Sequence, residues 1–120
     1  MSQYYAMGGV TLWNPSNGAS RLFLRQLAVF EEELGLSAGI GPMESDECRV
    51  HPVALGVFAN ALLAHQLQSR HAVIRALGEG FTMTVLALAG RAGAVIDWGP
   101  GPEAAGLRAK VRELDRCMTG

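Results

Sequence analysis

The segment from Val53 to Leu77 constrains the fold more than any other part of the chain. It is dense in alanine, leucine and valine, and after Gly56 it contains no glycine until Gly78. Such a composition favours α-helix, and a helix that is apolar over most of its circumference is buried. The sequence therefore predicts one long helix, or two joined near residues 68–69, as the central element of the core.

The first thirteen residues predict a β-hairpin. Two four-residue runs of strand-forming residues, 4–7 and 10–13, are separated by a pair of glycines that tolerates positive φ. A third β-prone run, residues 94–98, is bounded by glycine on both sides. We predict that this run adds a strand to the hairpin and completes a small antiparallel sheet.

Further helices are predicted on either side of the central segment. Apolar residues recur at spacings of four, three and four in a helix that begins within residues 14–20 and ends near Gly35. Glu79-Gly80 is expected to interrupt the apolar region, so that residues 81–91 form a separate helix. Residues 103–118 show a narrow apolar stripe at the helical period.

The fold predicted for residues 1–120 is therefore a single, helix-dominated α+β domain. About four helices pack on the small antiparallel sheet formed by the hairpin and one later strand. A chain of 120 residues buries about two thirds of its unfolded surface, which is enough for a core without metal or disulfide support.

Charge and composition exclude several partners. Ten basic residues stand against eleven acidic ones, so the chain lacks the positive surface that sequence-independent nucleic-acid binding requires. The longest apolar stretches are shorter than a bilayer or interrupted by polar residues, so no membrane span is expected. Two widely separated cysteines and an N-terminus without a secretory pattern predict a reducing, cytoplasmic location.

The densest polar chemistry lies in residues 44–51, at the end of a predicted irregular connection, residues 36–49. A thiol, an imidazole, three carboxylates and a guanidinium occupy eight positions, and loops on rigid scaffolds often carry sites. The alternative is a solvated acidic turn that favours the positive end of the next helix. The candidate catalytic residues are Glu44, Asp46, Glu47, Cys48 and His51.

Aromatic residues on the predicted strands are candidates for ligand or partner binding. Strand alternation sends Tyr4 and Tyr5 to opposite faces, so one of them should stay near the surface. Trp13 and Trp98 either anchor an interface or seal the sheet against the helices. Arg49, in the polar loop, completes this group of candidates.

Metal and cofactor sites are not predicted. The two cysteines and three histidines show no recognised ligand spacing. The Gly-Pro-Gly-Pro sequence at residues 99–102 lacks amide donors at its prolines, which makes it a poor phosphate cradle.

Several stretches resemble a family of small uncharacterised proteins from Streptomyces-like actinobacteria. They are Leu12-Trp13-Asn14-Pro15-Ser16-Asn17-Gly18, Ser20-Arg21-Leu22-Phe23-Leu24-Arg25-Gln26, Gly39-Ile40-Gly41-Pro42-Met43 and Asp46-Glu47-Cys48-Arg49-Val50. The resemblance extends over nearly the whole chain, but it implies no activity, cofactor or catalytic residue.

The leading functional hypothesis is a protein–protein interaction or regulatory module, acting as a homodimer or with another protein. Its basis is an excess of apolar helix surface in so short a chain. One alternative is a small cofactor-independent enzyme or ligand-binding protein of actinobacterial secondary metabolism. Another is an immunity or antitoxin-like partner whose acidic loop meets a basic cleft.

Overall fold

The computed structural model describes residues 1–118, which form seven regular elements. The strands are β1 (Tyr4–Met7), β2 (Val10–Trp13) and β3 (Glu47–Arg49). The helices are α1 (Asn17–Leu34), α2 (Pro52–Gln68), α3 (Ala72–Arg91) and α4 (Pro102–Cys117). The predicted class, a helix-dominated α+β fold with four helices and a small sheet, is confirmed.

The sheet has the order β2-β1-β3 and is mixed. β1 and β2 pair antiparallel across a turn at Gly8 and Gly9, both of which have positive φ, so the predicted hairpin is confirmed. β1 and β3 pair parallel, with Tyr5 opposite Cys48. The expected purely antiparallel sheet is therefore wrong in its third strand.

The third strand comes from a different part of the chain than predicted. β3 belongs to the connection that was expected to be irregular, whereas residues 94–98 form no strand. The side-chain amide of Asn60 holds them against α2 instead: Nδ2 donates to the Val95 carbonyl at 3.0 Å, and Oδ1 accepts from the Asp97 amide at 2.8 Å. These bonds satisfy backbone groups that a strand partner would otherwise satisfy.

The apolar region forms two helices that meet at residues 69–71. The predicted break at Glu79-Gly80 is wrong, because α3 continues through both residues. At Gly78 the helix lies so close to α2 that an added Cβ would come within 2.7 Å of the Gln66 Oε1 atom. Glycine at this point leaves room for the Gln66 side chain, whose Nε2 donates to the Arg75 carbonyl at 2.8 Å.

Helix α3 lies at the centre of the core, between α2 and α4, and contacts α1 less extensively. The centre of the core, which was predicted for residues 53–77, is thus occupied mainly by α3, a later segment of the chain. By length and composition, α3 is the one described helix that could cross a membrane. Its second half is buried in the core, at Val85, Leu86 and Leu88.

Candidate functional site

The acidic part of the predicted catalytic loop is a tight turn that leads into β3. Glu44 and Glu47 exchange two backbone hydrogen bonds, of 2.9 and 3.0 Å. Between them, Ser45 and Asp46 both have positive φ, at 51° and 63°. The side chains of Glu44, Asp46 and Glu47 are all exposed, so the turn presents its carboxylates to solvent.

The thiol and imidazole of this loop lie in different environments. Cys48 is fully buried in β3, with its Sγ 3.9 Å from the Met43 Sδ. Burial raises the pKa of the Cys48 thiol to about 11, whereas a nucleophilic cysteine needs a lowered pKa. His51 is exposed at the N-terminus of α2. The Cys48 thiol and the His51 imidazole are therefore not paired with each other in the structure.

Four of the predicted site residues line a shared surface depression of about 480 Å³. They are Glu44, Glu47, Arg49 and His51, and Gly41, Pro42 and Ser45 complete the lining. In residues 1–118, no group of three or more His, Cys, Asp or Glu side chains is arranged to hold a metal ion. Catalysis by these residues stays a prediction.

The predicted aromatic residues divide between core and surface. Tyr5 is buried, with its ring centroid 5.1 Å from that of Trp13, and its hydroxyl lies 2.8 Å from the Ser20 Oγ. Burial raises the pKa of Tyr5 to about 12. Tyr4 is exposed on the opposite face, as alternation predicted. Trp98 is half-buried beneath the guanidinium of Arg108, 5.7 Å away.

A second depression, of about 420 Å³, lies between α1 and α3; we call it the α1/α3 groove. Its aromatic residues contact one another: the Phe23 centroid lies 5.3 Å from Trp13 and 5.5 Å from Phe81. None of the twelve described residues that line the groove is charged. They are Trp13, Ala19, Leu22, Phe23, Gln26, Ala76, Leu77, Gly80, Phe81, Thr84, Leu114 and Met118.

Two exposed leucines contribute to the lining from opposite helices. Leu22 on α1 is 60% exposed and Leu77 on α3 is 76% exposed. Exposed Val29 and Val73 continue their rows at helical spacing. Both helices thus place exposed aliphatic side chains beside the depression.

The groove leucines, Leu22 and Leu77, were not among the site residues predicted from the sequence. In α1 only the inward row was assigned, although Leu22 and Val29 form a second row on its polar side. In α3 the expected break after residue 78 separated Leu77 from Phe81, which lie on one continuous helix. The sequence signal that could have indicated this surface is an apolar residue that lies outside the helical stripe facing the core.

Comparison with known proteins gives one finding. Residues 1–120 match the model of a family described as a family of unknown function, DUF6086. No curated protein and no solved structure matches the chain.

Proposed function

The chain belongs to DUF6086, a family of unknown function, and we propose that it is a protein–protein interaction module that pairs with a second copy through the α1/α3 groove. The observation that carries this proposal is a groove lined entirely by uncharged residues, with exposed leucines from both helices. Protein interfaces are depleted of charge at their centres in the same way.

The same observation favours a second copy as the occupant. In a two-fold dimer the same patch meets itself, so any charge near the axis opposes its own copy. A groove without charged residues avoids this repulsion. The face also offers both halves of a packing arrangement, because Leu22 and Leu77 project beside a depression that leucine side chains of a second copy can fill.

The surface area of the chain supports the same proposal. The accessible surface is 6933 Å², whereas scaling with mass gives about 6,300 Å² for a monomeric protein of this size. The surplus of roughly 600 Å² goes with an elongated shape of 40 × 26 × 25 Å, which leaves additional surface that a second copy can cover.

The experiment is light scattering coupled to size exclusion, over a range of micromolar concentrations. We expect the wild type at twice the chain mass of 12.8 kDa, and Leu77→Arg at the chain mass. Leu77 is largely exposed, so the substitution should leave the fold intact, which circular dichroism checks.

The matched control is Val53→Arg, which places the same charge on an exposed aliphatic position of α2, 81% accessible and outside the groove. It should remain dimeric. A monomeric wild type, a dimeric Leu77→Arg variant, or equal dissociation by both variants would each overturn the proposal.

We also propose an actinobacterial source and a cytoplasmic location. Nine of the ten basic residues are arginine, in keeping with a GC-rich genome. Cys48 and Cys117 are both free thiols, one buried and one exposed, which fits a reducing compartment.

A further inference from the structure

A third depression lies between residues 94–98 and α4, on a different surface from the groove. Its volume is about 570 Å³, within the range of small-molecule sites. Apolar side chains form much of its lining: Leu86, Ala87, Val95, Ile96, Trp98 and Val111. The Asn60 hydrogen bonds that replace a strand at residues 94–98 also position one wall of this depression.

Cationic side chains are the other part of the lining. Arg108 and Arg112 lie four residues apart on α4, so their side chains are neighbours on one face of the helix. Among the described residues, neither forms an ion pair with an acidic side chain. The guanidinium of Arg108 lies over the ring of Trp98.

The remaining charges of the lining neutralise each other, because Arg91 is paired with Asp115 at 2.6 Å. The depression therefore carries a net charge of two positive units, in a chain whose formal net charge is −1. Like charges four residues apart destabilise a helix. An anion at this position would relieve that repulsion.

We propose that this depression binds a small amphipathic anion, with a flat apolar body and one carboxylate or similar headgroup. The apolar body would lie against Trp98, Ile96 and Val111. The headgroup would accept charge-assisted hydrogen bonds from Arg108 and Arg112. Binding of this kind requires no chemical change in the ligand.

This inference is independent of the proposed dimer. The lining of the depression shares no residue with that of the α1/α3 groove. Failure of one proposal is therefore distinguishable from failure of the other.

The experiment uses 8-anilinonaphthalene-1-sulfonate, an aromatic anion that fluoresces in apolar sites, titrated against the full chain. We expect one saturable site per chain that weakens at least about tenfold in the double variant Arg108→Gln/Arg112→Gln. The matched control is Arg21→Gln/Arg25→Gln, which removes two exposed arginines with the same spacing from α1. The control should bind like the wild type.

Competition identifies the ligand class. 2-Naphthoate should displace the dye, whereas uncharged 2-naphthalenemethanol should do so at least about tenfold less well, because it lacks the headgroup. Absence of dye binding, equal loss in both double variants, or no loss in either would overturn the proposal. Displacement by polyglutamate but not by naphthoate would also overturn it, in favour of an acidic protein partner.

Discussion

Arg91 attaches the end of α4 to the core through Asp115. Its Nε donates to the Asp115 carboxylate at 2.6 Å, and Nη2 donates to the carbonyl of the same residue at 2.8 Å. Nη1 donates to the carbonyls of Leu12 and Met118, at 2.8 and 2.9 Å. One side chain thus joins α3 to β2 and to the C-terminal part of α4.

Replacement of this arginine should destabilise the fold more than replacement of its acidic partner. Arg91→Met removes four bonds made by a charged group and should lower the free energy of unfolding by roughly 2–3 kcal/mol. Asp115 is 43% exposed, and Asp115→Asn keeps the bonds to the backbone, so its cost should be below about 1 kcal/mol. Urea unfolding followed by circular dichroism measures both. Equal losses in the free energy of unfolding for the two variants would contradict the larger role of Arg91.

Stability should fall at alkaline pH because two buried acids keep their protons in the folded state. The pKa of Tyr5 is raised from 10.0 to about 12, and that of Cys48 from 9.0 to about 11. The unfolded chain releases these protons first, so their contribution is complete below pH 9 and is lost between pH 9 and 12. Urea midpoints of the wild type should fall over this range.

The double variant Tyr5→Phe/Cys48→Ala is the control for this dependence. It lacks both groups and should show a smaller decline from pH 9 to pH 11, even though its stability at neutral pH is lower. A decline as steep as that of the wild type would show that other groups are responsible.

The two cysteines should react at very different rates. Cys117 is exposed, whereas Cys48 is fully buried and its pKa is raised, so little thiolate forms. With a disulfide reagent at mildly alkaline pH, the native protein should show one fast thiol, and the second should react only after unfolding. Cys117→Ser should remove the fast phase. Two fast thiols in the wild type would contradict the burial of Cys48.

Gly39 should be less replaceable than Gly106, which lies in the interior of α4. Its φ is +71°, and an added Cβ would lie 2.7 Å from the Ala54 Cβ and 2.9 Å from the His51 carbonyl. Gly39→Ala should therefore cost roughly 2–3 kcal/mol. Gly106→Ala, in open space on α4, should instead stabilise by about 0.5–1 kcal/mol. Thermal unfolding of both variants checks the contrast.

The hairpin and the outer helices were predictable because their determinants are local. Gly8 and Gly9 define the turn between two short strands, and Ser16 caps α1 within the expected range. The third strand was not predictable in the same way. β-propensity at residues 94–98 is no weaker than in β3, but pairing depends on which segment the fold brings beside β1.

The candidate surfaces were less predictable than the fold. The α1/α3 groove depends on how two helices pack, and its leucines lie outside the stripe that periodicity assigns to the core. The buried position of Cys48 follows from its parallel pairing opposite Tyr5, which is a contact between distant parts of the chain. Trp13 and Trp98 were identified from the sequence, but their packing against α1 and α4 was not.

The most direct test of the proposed interaction surface is isotope-filtered nuclear magnetic resonance on a mixture of labelled and unlabelled chains. This experiment detects contacts between copies only. We predict intermolecular contacts from the Leu77 methyl groups to the rings that line the groove of the second copy, Trp13 and Phe81. Absence of intermolecular contacts, or contacts at Val53 without any at Leu77, would contradict the account.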